Sequence, residues 1–391
     1  MSEKTDIMGF IKRNIRNYSM FLMLVLIMLV FGVLTEGINL NPRNFTNLFI
    51  QYSYVLILAV GMVQVIVVGG IDLSVGSVAA FTGAISAMVY NTGVGMGVTI
   101  VVVMLVGFAI GAFQGFWIAY LKIPAFIVTL AGMLLFRGLT FIITNVSPVI
   151  LVDDGFRTIA SGFFLDSLRV GDTYLAPIIV GILAFAVFVY MEFRSRKKSV
   201  ENDFEVSPLP FFILKLALIG FLIMGLAQRF SAFRGLPNIV IVLGITIFVF
   251  HFMMKNTVLG RYIYAVGGNA KSAKLSGINS EFVTFIVFCF MGMLAGLAGL
   301  ISTAYMNSAL PQAGDLFELD AIAACYIGGV SASGGIGTII GVIIGGLVMS
   351  VINNGMSLMM IGAAWQFVVK ALILLLAVFY DVYTRRKSGL G

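Results

Sequence analysis

The chain has 391 residues, of which 60% are hydrophobic and only 10% are charged. Soluble domains carry about 25% charged residues, so this composition excludes a soluble enzyme or binding domain. The formal net charge of +7 does not indicate nucleic-acid binding, because the Lys and Arg residues are scattered among the ends of apolar runs. The composition instead fits a membrane protein that retains its positive charges on the cytoplasmic side.

Apolar runs of roughly 20 residues, the length that crosses a bilayer, recur along the chain. Regular spans are predicted near 19–36, 52–68, Ser77 to Val89, 95–121, 125–143, 175–192, 211–228, 238–254, 281–304, a run ending near Asn353–Gly355, and 364–382. The stretch 318–337 (ELDAIAACYIGGVSASGGIG) is too short and too often interrupted by glycine to form a regular span. The predicted fold is an all-α integral membrane protein, a polytopic helical bundle of about 10–12 transmembrane helices with glycine-broken segments.

Glycine spacing predicts where helices approach closely and where they break. Small-residue helical faces are expected at Gly107, Gly111 and Gly115 and at Gly292, Gly296 and Gly299. Gly69–Ile85 and Gly328–Gly346 each place a Gly-Gly break before a helix of small residues, and corresponding breaks in two halves of a transporter indicate a substrate path. We call this similarity the sequence echo. The alternative explanation is that glycine-rich membrane segments resemble one another by composition alone.

Clusters of Lys and Arg mark the ends that are predicted to face the cytoplasm. They lie at Lys12–Arg16, Arg194–Ser199 (RSRKKS), Thr257–Ser280 and Thr384–Ser388. The predicted order of spans places all four clusters on one side, so both termini are predicted to be cytoplasmic. The whole of 1–391 is predicted to form a single transmembrane domain.

No motif for catalysis, nucleotide binding or metal binding is present in the sequence. The P-loop pattern GxxxxGK[ST] is absent, so the chain does not bind ATP by that device. HExxH is absent too, and the single histidine, His251, has no partners for a zinc site. Cys289 and Cys325 lie in apolar surroundings, which does not indicate disulfides. We expect no catalytic residue, no metal site and no cofactor in this chain.

Ionisable residues within spans are the default functional candidates, because a charge in lipid is costly. By position they are Asp72, Arg137, Lys215, Asp320 and Lys370. Each also has a structural explanation, since the lysines and the arginine can pair or reach the interface and the aspartates can cap helix N-termini. The set lacks the several spaced acids that a proton relay across the membrane requires.

Amide and aromatic side chains in the spans suit a neutral hydroxylated substrate, because hydroxyls need donors and acceptors while C–H faces stack on rings. The candidates for the substrate path are Gln64, Asp72, Ser74, Asn353, Asn354, Trp365 and Gln366. The alternative for each polar group, as for Gln114, is an ordinary interhelical hydrogen bond worth about 1 kcal/mol.

Five stretches carry a resemblance to a known family. They are GGIDLSVGS (69–77), PAFIVTLAGMLLFRG (124–138), GRYIYAVGGNAKSAKLSGIN (260–279), ELDAIAACYIGGVSASGGIGT (318–338), and NNGMS (353–357) followed by WQFVVKALILLLAV (365–378). Together they resemble the permease subunits of bacterial ABC importers for monosaccharides, of the ribose, xylose and galactose class. The resemblance covers nearly the whole chain in order. It is greatest to xylose and multiple-monosaccharide permeases, which share the extra pair of spans around RSRKKS.

The resemblance implies a permease of the bacterial inner membrane that moves a monosaccharide of the xylose, arabinose, galactose or glucose class. A separate cytoplasmic ATPase would bind ATP, a periplasmic or lipid-anchored binding protein would deliver the sugar, and a second permease copy (or a related permease) would complete the pathway in the lipid. The cytoplasmic loop 256–280 would couple the chain to the ATPase. Its coupling residues would be Gly267, Gly268, Asn269, Lys271, Lys274, Leu275, Ser276, Gly277 and Ile278.

The residues of this loop are compatible with a short docking helix. Ala270–Leu275 favours a helix, Gly267 and Gly268 permit a close approach, and Gly277 suits a helix C-terminus. The alternative is an ordinary basic loop without a partner. For the whole chain, the alternatives are an ion-gradient-driven secondary transporter of a small neutral solute and an intramembrane enzyme. The sequence lacks the spaced membrane acids that a proton-driven secondary transporter uses, and it lacks the nucleophile, metal site or acid–base set of an enzyme.

Overall fold

The computed structural model describes residues 7–202, 206 and 208–387. This part of the chain folds into fourteen α-helices, and a 3-10 turn at Ile38–Leu40 lies between the first and the second. The helices are α1 (Ile7–Leu34), α2 (Pro42–Val67), α3 (Val75–Asn91), α4 (Met96–Ala119), α5 (Ala125–Thr144), α6 (Thr158–Ser161), α7 (Leu175–Glu201), α8 (Leu209–Ser231), α9 (Asn238–Asn256), α10 (Val258–Leu275), α11 (Ser280–Met306), α12 (Phe317–Ile327), α13 (Ile339–Leu358) and α14 (Ala363–Lys387).

Two-residue β-strands pair antiparallel within the connections of the described chain. They are β1 (Val149–Ile150) with β6 (Ser308–Ala309), β2 (Phe163–Phe164) with β5 (Leu236–Pro237), and β3 (Arg169–Val170) with β4 (Thr173–Tyr174). The first pair joins the chain after α5 to the chain after α11. We call the end of the bundle that carries these strands the outer end, and the end that carries α10 the inner end.

Nine helices in the described residues are long and apolar enough to cross a membrane, namely α2, α4, α5, α7, α8, α9, α11, α13 and α14. Met20–Leu34 within α1 and the whole of α3 are shorter apolar helices. The predicted all-α polytopic bundle is confirmed, and the total agrees with about 10–12 spans. The predicted cytoplasmic position of both termini concerns 1–6 and 388–391, which lie outside the described residues. It stays a prediction.

Helices α2 and α11 form the centre of the bundle, and most of their residues are buried. The predicted glycine faces bring α4 against α11. A Cβ atom at Gly107 would overlap the carbonyl oxygen of Gly292, and one at Gly111 would overlap that of Phe288. Close backbone approach of this kind gives van der Waals packing in lipid, where helices have no hydrophobic drive to associate.

Two extended segments interrupt the bundle. Val68–Ser74 separates α2 from the short helix α3, and Asn307–Leu316 separates α11 from α12, which has 11 residues. The N-termini of α3 and α12 meet: a Cβ atom at Gly76 would overlap the carbonyl oxygen of Gly314, and the reverse also holds. Gly76 and Gly314 are both buried at this contact, whereas Gln312 and Asp315 in the second segment are exposed.

The two breaks of the sequence echo do not precede corresponding short helices. The helix after Gly328–Thr338 is the full-length α13, so the short helix that meets α3 is α12. The two echoed breaks instead contact each other at the inner end, where the backbone N–H of Gly335 donates to the carbonyl oxygen of Val67 (2.9 Å). Both are glycine-rich turns because the chain must pass closely there, which explains why their compositions agree.

Helices α7 and α8 form a hairpin at the periphery of the bundle, with few buried residues. Lys215 in α8 pairs with Glu192 in α7, with Nζ 2.7 Å from Oε1, and both side chains are partly exposed. Arg196 lies over the ring of Phe212, 4.9 Å from its centroid. Lys215 therefore has a structural role as an ion-pair partner across the hairpin, while its predicted reach to the membrane interface stays a prediction.

Candidate coupling element and embedded polar clusters

The segment 256–280 is largely helical rather than an open loop. Helix α10 buries Gly260, Ile263, Val266 and Ala273, whose near-helical spacing places an apolar stripe against the bundle. Asn269 interrupts the helix with an extended conformation (φ −161°, ψ 100°). Its side-chain oxygen accepts the backbone N–H of Ser272 at 3.0 Å, which caps the short second part of α10.

The second part of α10 ends in a tight glycine turn. Gly277 has φ +84°, a conformation that residues with a Cβ rarely adopt. The N–H of Ile278 donates to the carbonyl of Ala273 and that of Gly277 to the carbonyl of Lys274, both at 3.0 Å, as in a Schellman motif. Leu275, at the tip, is 90% exposed. We call Asn269–Ile278 the coupling tip.

The part of α10 that immediately precedes the coupling tip is fixed to the inner end of the bundle. Gly267 has no room for a side chain, because a Cβ atom there would overlap the carbonyl oxygen of Val67. The Tyr264 hydroxyl donates to the carbonyl of Gly337 at 2.6 Å. Since the N–H of Gly335 also bonds Val67, α10, the end of α2 and the turn before α13 are joined at one point.

The other side of the coupling tip is held by a small ionic cluster. Glu281, at the start of α11, pairs with Lys274 (2.8 Å) and Lys122 (3.1 Å) through its Oε1. Both lysines are largely exposed, so each pair contributes only about 0–1 kcal/mol. Lys271 is exposed on the same tip. The tip is therefore preformed, with its basic and apolar side chains facing away from the bundle.

The predicted substrate-path residues fall into separate groups. Asp72 and Ser74 lie together at the start of α3: Asp72 Oδ1 accepts the backbone N–H (2.8 Å) and the hydroxyl (2.6 Å) of Ser74. Gln114 Nε2 donates to the Ser74 hydroxyl at 2.9 Å. Gln64 is buried in α2, where its Nε2 donates to the carbonyl of Val60 at 2.9 Å. Asp72 thus closes the turn before α3 rather than capping a helix N-terminus, which was its predicted structural role.

Asn353 and Asn354 belong to a second group, at the outer half of α13. Asn353 Nδ2 lies 3.5 Å from Oδ1 of Asp320, and the Asp320 Oδ2 pairs with Lys370 Nζ at 2.9 Å. Asn354 exchanges two amide hydrogen bonds with Asn44, at 2.8 and 3.2 Å. These contacts tie α12, α13, α14 and the start of α2 together.

Trp365 and Gln366 do not join either group. Trp365 is 67% exposed on the surface of α14, and Gln366 Nε2 donates to the nearby carbonyl of Ile361 at 2.9 Å. The structure therefore brings some predicted path residues together in pairs, but it does not bring all seven into one cavity. Their role in a substrate path stays a prediction.

Arg137 stands at a site that the predicted set of path residues left out. Its Nη2 pairs with Asp315 Oδ1 at 2.6 Å, and its Nη1 donates to the carbonyls of Pro311 (3.2 Å) and Ala313 (2.7 Å). Glu318 is buried close by, against Gly76. The signal available in the sequence was a mid-span arginine together with a glycine- and proline-containing acidic segment after α11.

The described residues include no group of three or more His, Cys, Asp or Glu side chains that could hold a metal ion. The family model described as "Branched-chain amino acid transport system / permease component" matches residues 44–378. The chain belongs to this permease family. The match extends from the start of α2 into α14 and includes the coupling tip and both groups of embedded polar residues.

Named relatives align with the permease over nearly its whole length. The xylose transport system permease protein of Haemophilus influenzae is 39% identical over 375 residues, 96% of this chain and 98% of the relative. That of Escherichia coli K12 is 38% identical over 384 residues, covering 97% and 95%. The ribose import permease protein of the same strain is 36% identical over 363 residues, covering 93% and 92%. No solved structure matched the chain.

Membership of this family decides between the alternatives for the whole chain. A permease component is one subunit of a transport system, so the intramembrane enzyme and the self-sufficient secondary transporter are not supported. The permease is a multi-pass membrane protein.

Proposed function

We propose that this chain is the permease subunit of an ATP-binding-cassette importer that moves a monosaccharide across the bacterial inner membrane. The observation that carries the proposal is that relatives named for xylose and for ribose transport both align over more than nine-tenths of the chain. The family description names branched-chain amino acids, so the substrate class is the point that needs a direct test. Of the sugars, a pentose such as xylose is the first candidate.

The coupling tip supplies the contact through which a separate cytoplasmic ATPase acts. It offers an exposed leucine, Leu275, directly after the exposed Lys274 and one turn from the exposed Lys271, and caps hold both of its ends. A displacement of the tip would be transmitted to Val67 through the contact of Gly267. It would be transmitted to the turn before α13 through the hydrogen bond of Tyr264.

Three further partners complete the proposed transporter. The ATPase binds the ATP, since this chain has no P-loop. A periplasmic or lipid-anchored binding protein presents the sugar at the outer end, and a second copy of the permease forms the other half of the pathway. Asp72, Ser74, Asn353 and Asn354 remain candidates for contact with the sugar during passage.

The test is reconstitution of the permease in proteoliposomes with a candidate ATPase and a candidate sugar-binding protein. We expect D-xylose uptake that requires ATP on the ATPase side and the binding protein on the opposite side. Uptake driven by an ion gradient without the ATPase would contradict the proposal. ATP-dependent uptake of L-leucine with no uptake of any monosaccharide would contradict the substrate class alone.

A further inference from the structure

A cavity of about 410 Å³ lies at the outer end of the bundle, beside the extended segment Asn307–Leu316. Its walls come from Val146 and Pro148 after α5, from Met306 at the end of α11, and from the extended segment itself. The volume lies within the range of about 300–1,000 Å³ that small-molecule sites occupy. The cavity lies at the opposite end of α11 from the coupling tip, which is the side where an importer receives its substrate.

The lining of the cavity combines apolar walls with hydrogen-bonding groups. Pro148, Leu310 and Phe317 contribute apolar surface, while Gln312 and Asp315 contribute an amide and a carboxylate. A monosaccharide presents hydroxyls around an apolar C–H face, and amide and carboxylate groups are suited to bind those hydroxyls. Gln312 and Asp315 are both exposed, so a ligand in the cavity can reach them.

Arg137 makes the polar part of this lining rigid. Its guanidinium group is mostly buried and pairs with Asp315 at 2.6 Å. The same group accepts no hydrogen bond but donates to two carbonyls of the extended segment, those of Pro311 and Ala313. The segment therefore keeps its shape without helical bonds of its own. Asp315 and the two carbonyls already occupy the guanidinium group, so its charge is neutralised. The cavity therefore offers no free cation to bind the carboxylate of an amino-acid substrate.

We propose that this cavity is the outer sugar-binding subsite of the permease, in which Gln312 and Asp315 bind hydroxyl groups of a monosaccharide and Arg137 is the positioning residue that holds Asp315. The inference rests on the proposed function and adds to it the place where the sugar first contacts the permease. The junction of α3 and α12 lies directly beyond this subsite, because Gly314 belongs both to the cavity wall and to that junction.

Protection of an introduced cysteine tests the subsite without measuring transport. The native cysteines, Cys289 and Cys325, are both buried, so Leu310→Cys provides an accessible thiol on the apolar wall and leaves Gln312 and Asp315 in place. In right-side-out vesicles with the full complex, a membrane-impermeant thiol reagent should modify this cysteine, and D-xylose should slow the reaction. At ten times its dissociation constant the sugar leaves about a tenth of the sites free, so the rate should fall about tenfold.

Asp154→Cys provides the matched control, since Asp154 is exposed in the outer connection and does not line the cavity. Its modification should proceed at the same rate with and without D-xylose, and sucrose should protect neither cysteine. In the Leu310→Cys background, Asp315→Asn should raise the D-xylose concentration for half-protection about tenfold, because a charge-assisted hydrogen bond is lost. Arg137→Lys should raise this D-xylose concentration too, because the single ammonium group of lysine cannot bind the carboxylate and both carbonyls at once as the planar guanidinium does. A purely structural Arg137 would leave this concentration unchanged.

The outcomes separate this inference from the proposed function. Equal modification rates of Leu310→Cys with and without D-xylose overturn the subsite, while ATP-dependent D-xylose uptake by the native complex in the same vesicles would still uphold the function. Protection by L-leucine and not by D-xylose overturns both the subsite and the sugar assignment.

Discussion

At the scale of single residues, the ion pair between Asp320 and Lys370 is the most deeply buried in the described chain. Their side chains are 4% and 16% exposed. Lys370→Met leaves the Asp320 carboxylate without its cation, and breaking a buried pair in this way costs about 3–5 kcal/mol. We therefore expect a marked drop in the temperature at which the detergent-solubilised permease loses its monodisperse peak in size-exclusion chromatography.

The pair between Lys215 and Glu192 provides the control for this prediction. Those side chains are 47% and 25% exposed, so Lys215→Met should cost only about 0–1 kcal/mol. The double variant Asp320→Asn with Lys370→Met removes both charges and should recover most of the lost stability. If Lys370→Met proved as stable as Lys215→Met, the buried pair would not contribute to the stability of the fold.

Two adjacent glycines in α10 allow a sharp comparison. A Cβ atom at Gly267 would overlap the Val67 carbonyl oxygen, whereas no described atom lies within 4 Å of the corresponding position at Gly268. Gly267→Ala therefore pushes α10 away from α2, a kind of overpacking that costs about 1–3 kcal/mol. We expect Gly267→Ala to impair ATP-dependent uptake and Gly268→Ala to leave it near the native rate. Equal rates in both variants would contradict a tight contact.

At the scale of elements, the coupling tip makes a prediction about its exposed leucine. Leu275→Ser removes an apolar side chain that contacts little of its own chain, so thermal stability should not change. If the tip docks on the ATPase, co-purification of the two subunits should fall, because an apolar anchor at an interface is lost. Val200→Ser, at an exposed position near the end of α7, is the control and should co-purify normally.

The lysine beside that leucine has two possible roles, which a charge swap separates. Lys274 pairs with Glu281 within the permease, and Lys122 pairs with the same carboxylate. If Lys274 acts only through Glu281, a swap of all three charges (Lys274→Glu and Lys122→Glu with Glu281→Lys) restores both pairs and normal ATPase binding. If Lys274 contacts the ATPase, as we expect, the swap leaves binding as weak as in Lys274→Glu alone. Pull-down of the ATPase at low and high salt measures both.

At the scale of the whole molecule, the features predicted correctly are those that a local pattern encodes. Apolar runs predicted the spans, and glycine spacing predicted a close-packing face on α4 and another on α11, which the structure brings together. The helix at Ala270–Leu275 and the turn at Gly277 followed from helix propensity and from the preference of glycine for positive φ. The position of the termini and the roles of the path residues stay predictions.

The features that the sequence did not predict depend on contacts between distant parts of the chain. Arg137 meets Asp315 only because the extended segment after α11 folds back beside α5. Glycine content predicted the breaks but not their pairing, since Gly69 and Gly335 occur in turns of similar composition while Gly76 and Gly314 make the contact between the short helices. Long-range pairing is set by packing, and one sequence does not reveal it.

The junction between those short helices gives the last prediction. A methyl group at Gly76 would overlap the Gly314 carbonyl oxygen and press on the buried carboxylate of Glu318, and Gly314 cannot easily move because its φ is +78°. Gly76→Ala should therefore destabilise the permease, although alanine is the better helix former by about 1 kcal/mol. Gly138→Ala in α5 is the matched control, since no described atom lies within 4 Å of its added Cβ, and it should keep or raise stability. Heating both variants in detergent and measuring the remaining monodisperse fraction decides the point. A Gly76→Ala variant as stable as Gly138→Ala would mean that α3 and α12 do not meet as the structure has them.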